Sequence, residues 1–413
     1  MTCRGIHSSR DIPHLISGET DKAFSHLIST QSPTLTLLKM RFKSTAQDNP
    51  WLTSPSYSSL VPIGTHSLWA SITGPPRPPT APLLIFITGA GGASALHIKL
   101  QQQLTPYIRC LFYDRAGYNL STLPPLKPSL GKIVADDTAR DLTKLLAATG
   151  LEPPYLLIAH SFGGIIARTF LQHHSSNPAT ITGMLLFDTA TELMLSPLFP
   201  RFPPPEIMAV AQDVDYEALT HLQRDSGLSD AEWDYALLAC ARCRQAQEYE
   251  DTHASAHNLS LHRQLDFKTL GSRPLTVVRC NIAADMQFLY DEGVRLGGGS
   301  ELEREAARLF ISKCRCFLGQ IQRAQWGLSE DVCDREFVEW GHDLPIRRPG
   351  IVVWLVRELM ERMERKGGRG DGSGDVDKAI AVDEAGHEAE RKMDRGQNVS
   401  NRSFPHPVVS FFG

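Results

Sequence analysis

No run of this chain approaches the roughly 20 consecutive apolar residues that a membrane-crossing helix needs. Residues Met1 to Met40 are broken by Arg4, Arg10, Asp11, Glu19 and Asp21, so no secretory signal is expected there. A dense basic stripe is also missing. With 42 Lys and Arg against 46 Asp and Glu, the formal net charge is -4, which argues against nucleic acid or an anionic membrane surface as the main partner. The eight cysteines of the 413 residues are scattered without a disulfide framework, the usage expected of a reduced, cytoplasmic protein. Cys240-x-x-Cys243 has no second ligand pair at zinc spacing nearby, so neither a metal nor a cofactor is expected. What remains is a small-molecule partner.

What is present is an alternation of apolar runs and amphipathic stretches. Leu68-Trp69-Ala70-Ser71-Ile72 alternates as a strand, and Leu83 to Ile87 is a continuous apolar run, the mark of a strand buried on both faces. Cys110 to Tyr113, Tyr155 to Ala159, Met184 to Phe187, Leu275 to Val278 and Phe337 to Trp340 read as further strands. Helices are expected over Val134 to Thr149, Gly164 to His173, Ser300 to Gln325 and Ile351 to Arg365. Strands separated by helices imply an α/β fold, a mostly parallel central sheet covered on both faces. Residues 1–55 are Ser/Thr-rich and weakly periodic, a poorly ordered extension. Residues 56–192 and 271–365 are the two parts of the core. Residues 193–270 interrupt it with helical periodicity and are expected to pack over the strand ends as a lid. Residues 366–413 are Gly-rich and then of mixed charge, with too little apolar surface to order themselves.

Ser161 carries the sharpest signal. It stands in Tyr155-Leu156-Leu157-Ile158-Ala159-His160-Ser161-Phe162-Gly163-Gly164, where an apolar strand turns at once into a glycine-opened helix. A hydroxyl on such a turn is projected from the top of a sheet, and the residues two before and two after must be small for strand and helix to approach. Ala159 and Gly163 fill those places. A serine needs a base to take its proton, and the base needs an acid to hold its tautomer. Among the 15 histidines, His342 leaves the last strand just before the last helix, where it can swing over the sheet toward Ser161. His160, adjacent to Ser161, is expected to help set the turn. For the acid, Asp285 after the strand Leu275 to Val278 is favoured over Asp188, which ends the strand Met184 to Phe187. Asp343, next to His342, would have to fold back.

Acyl transfer also needs donors aimed at the developing oxyanion. The backbone N–H of Phe162 and that of Ala90, in Thr88-Gly89-Ala90-Gly91-Gly92, are the two on offer. That loop lacks G-x-x-x-x-G-K-[ST], and Ser94 stands where G-x-G-x-x-G has its last glycine, so phosphate binding is the lesser reading. Asp114 and Arg115 are expected to satisfy backbone groups near the floor of the site.

Together these pieces resemble the α/β-hydrolase superfamily over roughly Leu60 to Arg365. Thr88 to Gly92 is similar to the family's H-G-x-G-G oxyanion loop with Thr88 in place of His. Tyr113 to Tyr118 is similar to its D-x-x-G-x-G segment, Ala159 to Gly163 to its elbow, and Gly341-His342 with Pro349 to its G-H-x6-P ending. The departures are Ala159, Thr88 and an acid loop without the common Gly-x-x-Asp form. The resemblance implies a lid after the sixth strand; the residues themselves point to a serine hydrolase acting on an ester or related acyl compound, and Phe199, Phe202, Met208 and Trp233 of the lid suggest an apolar acyl or alcohol pocket for a small-molecule substrate. The alternative is a catalytically silent member that binds a small apolar ligand.

Overall fold

Buried strands demand apolar residues on both sides, and the sheet is built from runs that meet this. The computed structural model describes residues 49–125, 132–194 and 199–367; the expectations for residues 1–48 and 368–413 lie outside the described residues. The strands are β1 (Ser56–Pro62), β2 (Ser67–Thr73), β3 (Leu83–Ile87), β4 (Cys110–Tyr113), β5 (Tyr155–His160), β6 (Ile181–Phe187), β7 (Leu275–Cys280) and β8 (Val332–Phe337). They form one sheet in the order β1-β2-β4-β3-β5-β6-β7-β8. The β1–β2 and β2–β4 pairs are antiparallel and all others are parallel. The expected α/β fold with a mostly parallel sheet is therefore the observed one.

The longer helices are α1 (Ile98–Leu104), α2 (Ala135–Thr149), α3 (Gly163–His173), α4 (Asp230–Tyr249), α5 (Thr252–Ser260), α6 (Ile282–Arg295), α7 (Glu301–Lys313) and α8 (Pro349–Gly367). Side chains alternate across a strand, so β3 feeds two cores. Leu83, Ile85 and Ile87 pack with Leu142 of α2 and Ile165, Ile166 and Phe170 of α3. Leu84 and Phe86 pack on the other face with Leu100 and Leu104 of α1 and Val352, Val356 and Leu359 of α8. Helices thus cover both faces, as a parallel sheet requires.

Three elements differ from the sequence reading. β1, rich in serine and mostly exposed, escaped it because an antiparallel edge strand needs no continuous apolar run. Just before it, Trp51 is buried and Arg109 donates to the Trp51 and Ser54 carbonyls, so the core begins at about residue 49 rather than 56. The last strand is Val332–Phe337, not Phe337 to Trp340. Its charged residues Asp334 and Glu336 are held by Arg279 of the neighbouring β7, a cross-strand pairing that apolar patterning does not register. Finally, the helix expected over Ser300 to Gln325 is α-helical only to Lys313. A π turn, Cys314–Leu318, follows, and then the short helix Gly319–Arg323.

The interruption between β6 and β7 is helical and bound to the rest of the fold. Ala256 and Leu259 of α5 join the core beneath α3, while Trp233, Ala236 and Cys240 of α4 pack with Ala93, Leu96, Tyr118 and Ile346. The buried guanidinium of Arg168 on α3 makes a two-point pair with Glu192 at 2.5 and 2.7 Å. It also meets Gln264 of the insertion at 3.2 Å.

Candidate active site

Ser161 occupies the sharp bend between β5 and α3, with a backbone φ of 56°. That left-handed conformation is costly for a residue bearing a Cβ and persists only where its surroundings impose it. They do so here. The Ser161 N–H donates to the Phe187 carbonyl at 3.3 Å, and its own carbonyl accepts from Gly164 and Ala190, both at 3.0 Å. A Cβ on Gly163 would come within 2.3 Å of the Ile87 carbonyl oxygen, which is why the position is glycine. Ala159 lies fully buried in β5, so its methyl group is accommodated where the superfamily pattern has glycine.

The loop Thr88 to Gly92, leaving β3, faces the bend so closely that a Cβ on Gly89 would lie 2.8 Å from that of Ser161. The loop is held from below. Arg115 donates to the Thr88 and Gly89 carbonyls at 2.8 and 2.9 Å, while the Gly91 N–H donates to the Tyr118 hydroxyl at 2.8 Å. Asp114 accepts the Ser94 N–H at 2.7 Å. Arg115 is in turn paired with Glu250 at 2.8 Å, and the Tyr118 hydroxyl donates to the same carboxylate at 2.7 Å. The expected structural role of Asp114 and Arg115 matches these contacts. Glu250 was invisible to sequence reasoning, because 135 residues separate it from Arg115 and no local pattern marks it.

His342 lies in the turn after β8 and is buried. Three residues fix it. The Nδ1–H donates to Asp188 Oδ2 at 2.5 Å, the backbone N–H donates to Asp285 Oδ2 at 2.7 Å, and the backbone carbonyl accepts from His160 Nε2–H at 2.9 Å. The preference for Asp285 as the ring's partner is thereby corrected: Asp188 holds the imidazole, and Asp285 holds the main chain. The reason is positional. Asp188 continues directly from β6, whereas Asp285 sits in the first turn of the helix α6. His160 anchors the His342 carbonyl as well as ending β5. Asp343 turns away from the ring to accept from Tyr216 at 3.2 Å and pair with Arg347 at 2.9 Å.

Asp188 is fully buried and fully occupied. Its Oδ1 accepts from the Cys280 N–H at 2.9 Å and the Gln322 amide at 2.8 Å, leaving Oδ2 for the ring. Gln322 gave no sequence signal, since a glutamine in a helical stretch reads as a solvated residue.

Burial works against a charged His342 ring. The Asp188 hydrogen bond and charge, with the charges of Asp285 and Asp343, outweigh it and raise its pKa above the ordinary 6.5. Burial, reinforced by the Asp343 charge and opposed by the His342 N–H, pushes the Asp285 carboxyl up to about 7. His160, by contrast, is driven well below its ordinary value by burial and by the neighbouring His342 and His97, so it stays neutral. A base must be deprotonated to accept a proton. A raised pKa on His342 therefore puts the acidic limb of kcat/KM above pH 6.5, with rate lost as pH falls through it. Asp285→Asn should move that limb to lower pH, because it removes one of the charges that stabilise the imidazolium. A pH profile on a neutral ester reads both; a limb below pH 6.5 contradicts the first.

Ser161, Phe162, Ala90, Asp188 and His342 line one cavity of about 70 Å³, closed by Ala190, Met194, Phe202, Pro203, Thr252 and Ile282. Of the residues expected to take a direct part in the chemistry, Ser161, His342, Asp188, Ala90 and Phe162 line this cavity and Asp285 does not. Among the described residues no group of three or more His, Cys, Asp or Glu is arranged to hold a metal ion, and no helix is long and apolar enough to cross a membrane.

With the sheet order, the strained serine turn and the histidine beyond the last strand in place, the comparison with known proteins is direct. Residues 82–229 match the family model for the alpha/beta hydrolase fold, in keeping with the resemblance carried by the sequence motifs. The chain is 29% identical over 325 residues to the probable transporter efuK of Hormonema carpetanum, covering 77% of this chain and 45% of that protein, so it spans under half of that relative's length. An AB hydrolase superfamily protein of Gibberella zeae is 26% identical over 330 residues, covering 76% of this chain and 99% of that one. Among solved structures, the proline iminopeptidase of Mycobacterium smegmatis superposes with a TM-score of 0.51 at 15% identity. That match covers 76% of this chain and all of that one, a likeness of fold.

Proposed function

We propose that the chain is a serine hydrolase that cleaves a carboxylic ester or related acyl compound through an acyl-enzyme. The observation that carries the reading is the meeting, in one cavity, of a serine held at positive φ and a buried histidine whose Nδ1–H is taken by Asp188. With Nδ1 protonated, Nε2 is the ring's acceptor. His342 takes the Ser161 proton as Oγ bonds to the carbonyl carbon, the tetrahedral oxyanion is held by the Phe162 and Ala90 N–H groups, and the C–O bond to the alcohol breaks as Nε2 returns the proton to it. Water, deprotonated by the same nitrogen, then releases the acid and restores Ser161. Asp188 stabilises the imidazolium and fixes its tautomer.

The cavity walls favour an uncharged substrate with a small apolar acyl or alcohol group, since no cationic side chain stands among its lining residues. The 193–270 insertion supplies Met194, Phe202, Pro203 and Thr252, the basis for assigning it the part of a lid. A serine-directed fluorophosphonate should label the protein stoichiometrically at Ser161, read by peptide mass spectrometry. A protein that stays unlabelled yet still binds a small apolar ester would instead be the silent ligand-binding member of the superfamily.

A further inference from the structure

A second chamber opens on the same reacting atoms. It measures about 30 Å³ and shares Ala90, Ser161 and His342 with the active-site cavity, but its remaining walls include the rest of the glycine loop, His97, His160, Cys240 and Asp343. Most of its polar groups are committed. The His160 Nε2–H is spent on the His342 carbonyl at 2.9 Å, Asp343 on Tyr216 and Arg347, and burial pushes the Cys240 thiol up to about 12, so it stays protonated. His97 is the exception. It directly precedes α1 and is 3% exposed, its ring packs on Phe86 with centroids 4.5 Å apart, and its Nδ1 has no hydrogen-bond partner among the described residues.

An unpartnered nitrogen in a buried wall is costly unless something polar meets it, and a space of this size admits roughly one or two water molecules and no sizeable acyl chain. The proposed acyl-enzyme needs such a water. With the acyl group in the larger cavity beside Met194 and Phe202, the attacking water must reach the carbonyl carbon within range of His342 Nε2. We infer, on the strength of the hydrolase reading, that this chamber seats the deacylating water and that His97 is the residue that positions it. The water's oxygen bonds to the acyl carbon as Nε2 takes one of its protons, and the C–Oγ bond then breaks as Nε2 returns that proton to Ser161. His97 meets the water with one hydrogen bond and exchanges no proton with it. Burial lowers its pKa to about 3, so it remains a neutral imidazole and does not compete with His342 as the base.

Formation and decay of the acyl-enzyme, followed separately by stopped-flow absorbance and intact-protein mass spectrometry with a small p-nitrophenyl ester, test the proposal on the full chain. His97→Phe keeps a ring against Phe86 and removes both nitrogens. It should slow acyl-enzyme decay by about tenfold, the order that a lost buried hydrogen bond carries, while the nitrophenolate burst and the rate of fluorophosphonate labelling at Ser161 stay within about twofold of the parent. His97→Gln, which can still hydrogen-bond water, should recover most of the decay rate. A merely structural role would move both steps together. Decay within about twofold of the parent, burst and labelling that fall in step with decay, or His97→Gln no faster than His97→Phe each overturns the inference and leaves the serine hydrolase standing. A wild-type protein that neither labels nor forms an acyl-enzyme overturns the hydrolase reading, and this inference with it. Should His97→Phe fail to fold, His97→Leu takes its place, and the contrast with His97→Gln still decides.

Discussion

Replacing Ser161 by Ala should lower kcat/KM for a small chromogenic ester by at least about 10⁴-fold, the order lost when an acyl-transfer nucleophile is removed. The loss should fall on kcat, because the hydroxyl's contribution is bond formation rather than binding. The variant should fold as stably as the parent or better. The residue sits at φ 56°, and alanine there suffers the same backbone strain with no additional atoms, while Gly89 and Gly163 keep the space around it open. Equal thermal unfolding with activity gone is the expected pair of measurements. Turnover by the purified variant within tenfold of the parent would end the serine mechanism.

The second large effect separates two carboxylates. Asp188→Asn should lower kcat by about 10³–10⁴-fold, since an amide facing Nδ1 favours the wrong tautomer and leaves an imidazolium unsupported. Asp188 also holds the Cys280 N–H and the Gln322 amide through its other oxygen. An asparagine must therefore present one group to those donors and another to the ring, and the orientation that keeps the donors satisfied turns its NH₂ toward His342. Asp285→Asn should cost about tenfold or less, because the His342 N–H can still donate to an amide oxygen. Kinetics of the two variants at a pH above the His342 limb measure the contrast. The reverse order of effects would make the residue that holds the main chain the catalytic acid.

How much of this could be read from the chain depends on how local each signal is. The Ser161 turn is local: an apolar strand, a small residue on either side and a glycine-opened helix lie within ten residues, and the glycine at 163 is demanded by the close approach of Ile87 and Thr88. The buried strands are local too, because a parallel strand covered on both faces must be apolar throughout. His342 was reachable from its place after the last strand, even though that strand, Val332–Phe337, proved charged and shifted. The choice between Asp188 and Asp285 was of another kind. Their strands β6 and β7 are neighbours, both residues follow the strand ends, and both touch His342. No spacing tells the ring contact from the main-chain contact.

The amino-acid sequence by itself therefore determined the fold class, the parallel core and the position of the serine turn, because burial, alternation and close approach act between neighbours in the chain. Only the tertiary structure decided which acid faces the imidazole, that Gln322 and His160 steady the pair, and that Glu250 secures the loop opposite Ser161. Those contacts join residues 92 to 182 positions apart, and hydrogen bonds of 2.5 to 2.9 Å are chosen by where strand ends and helices come to rest.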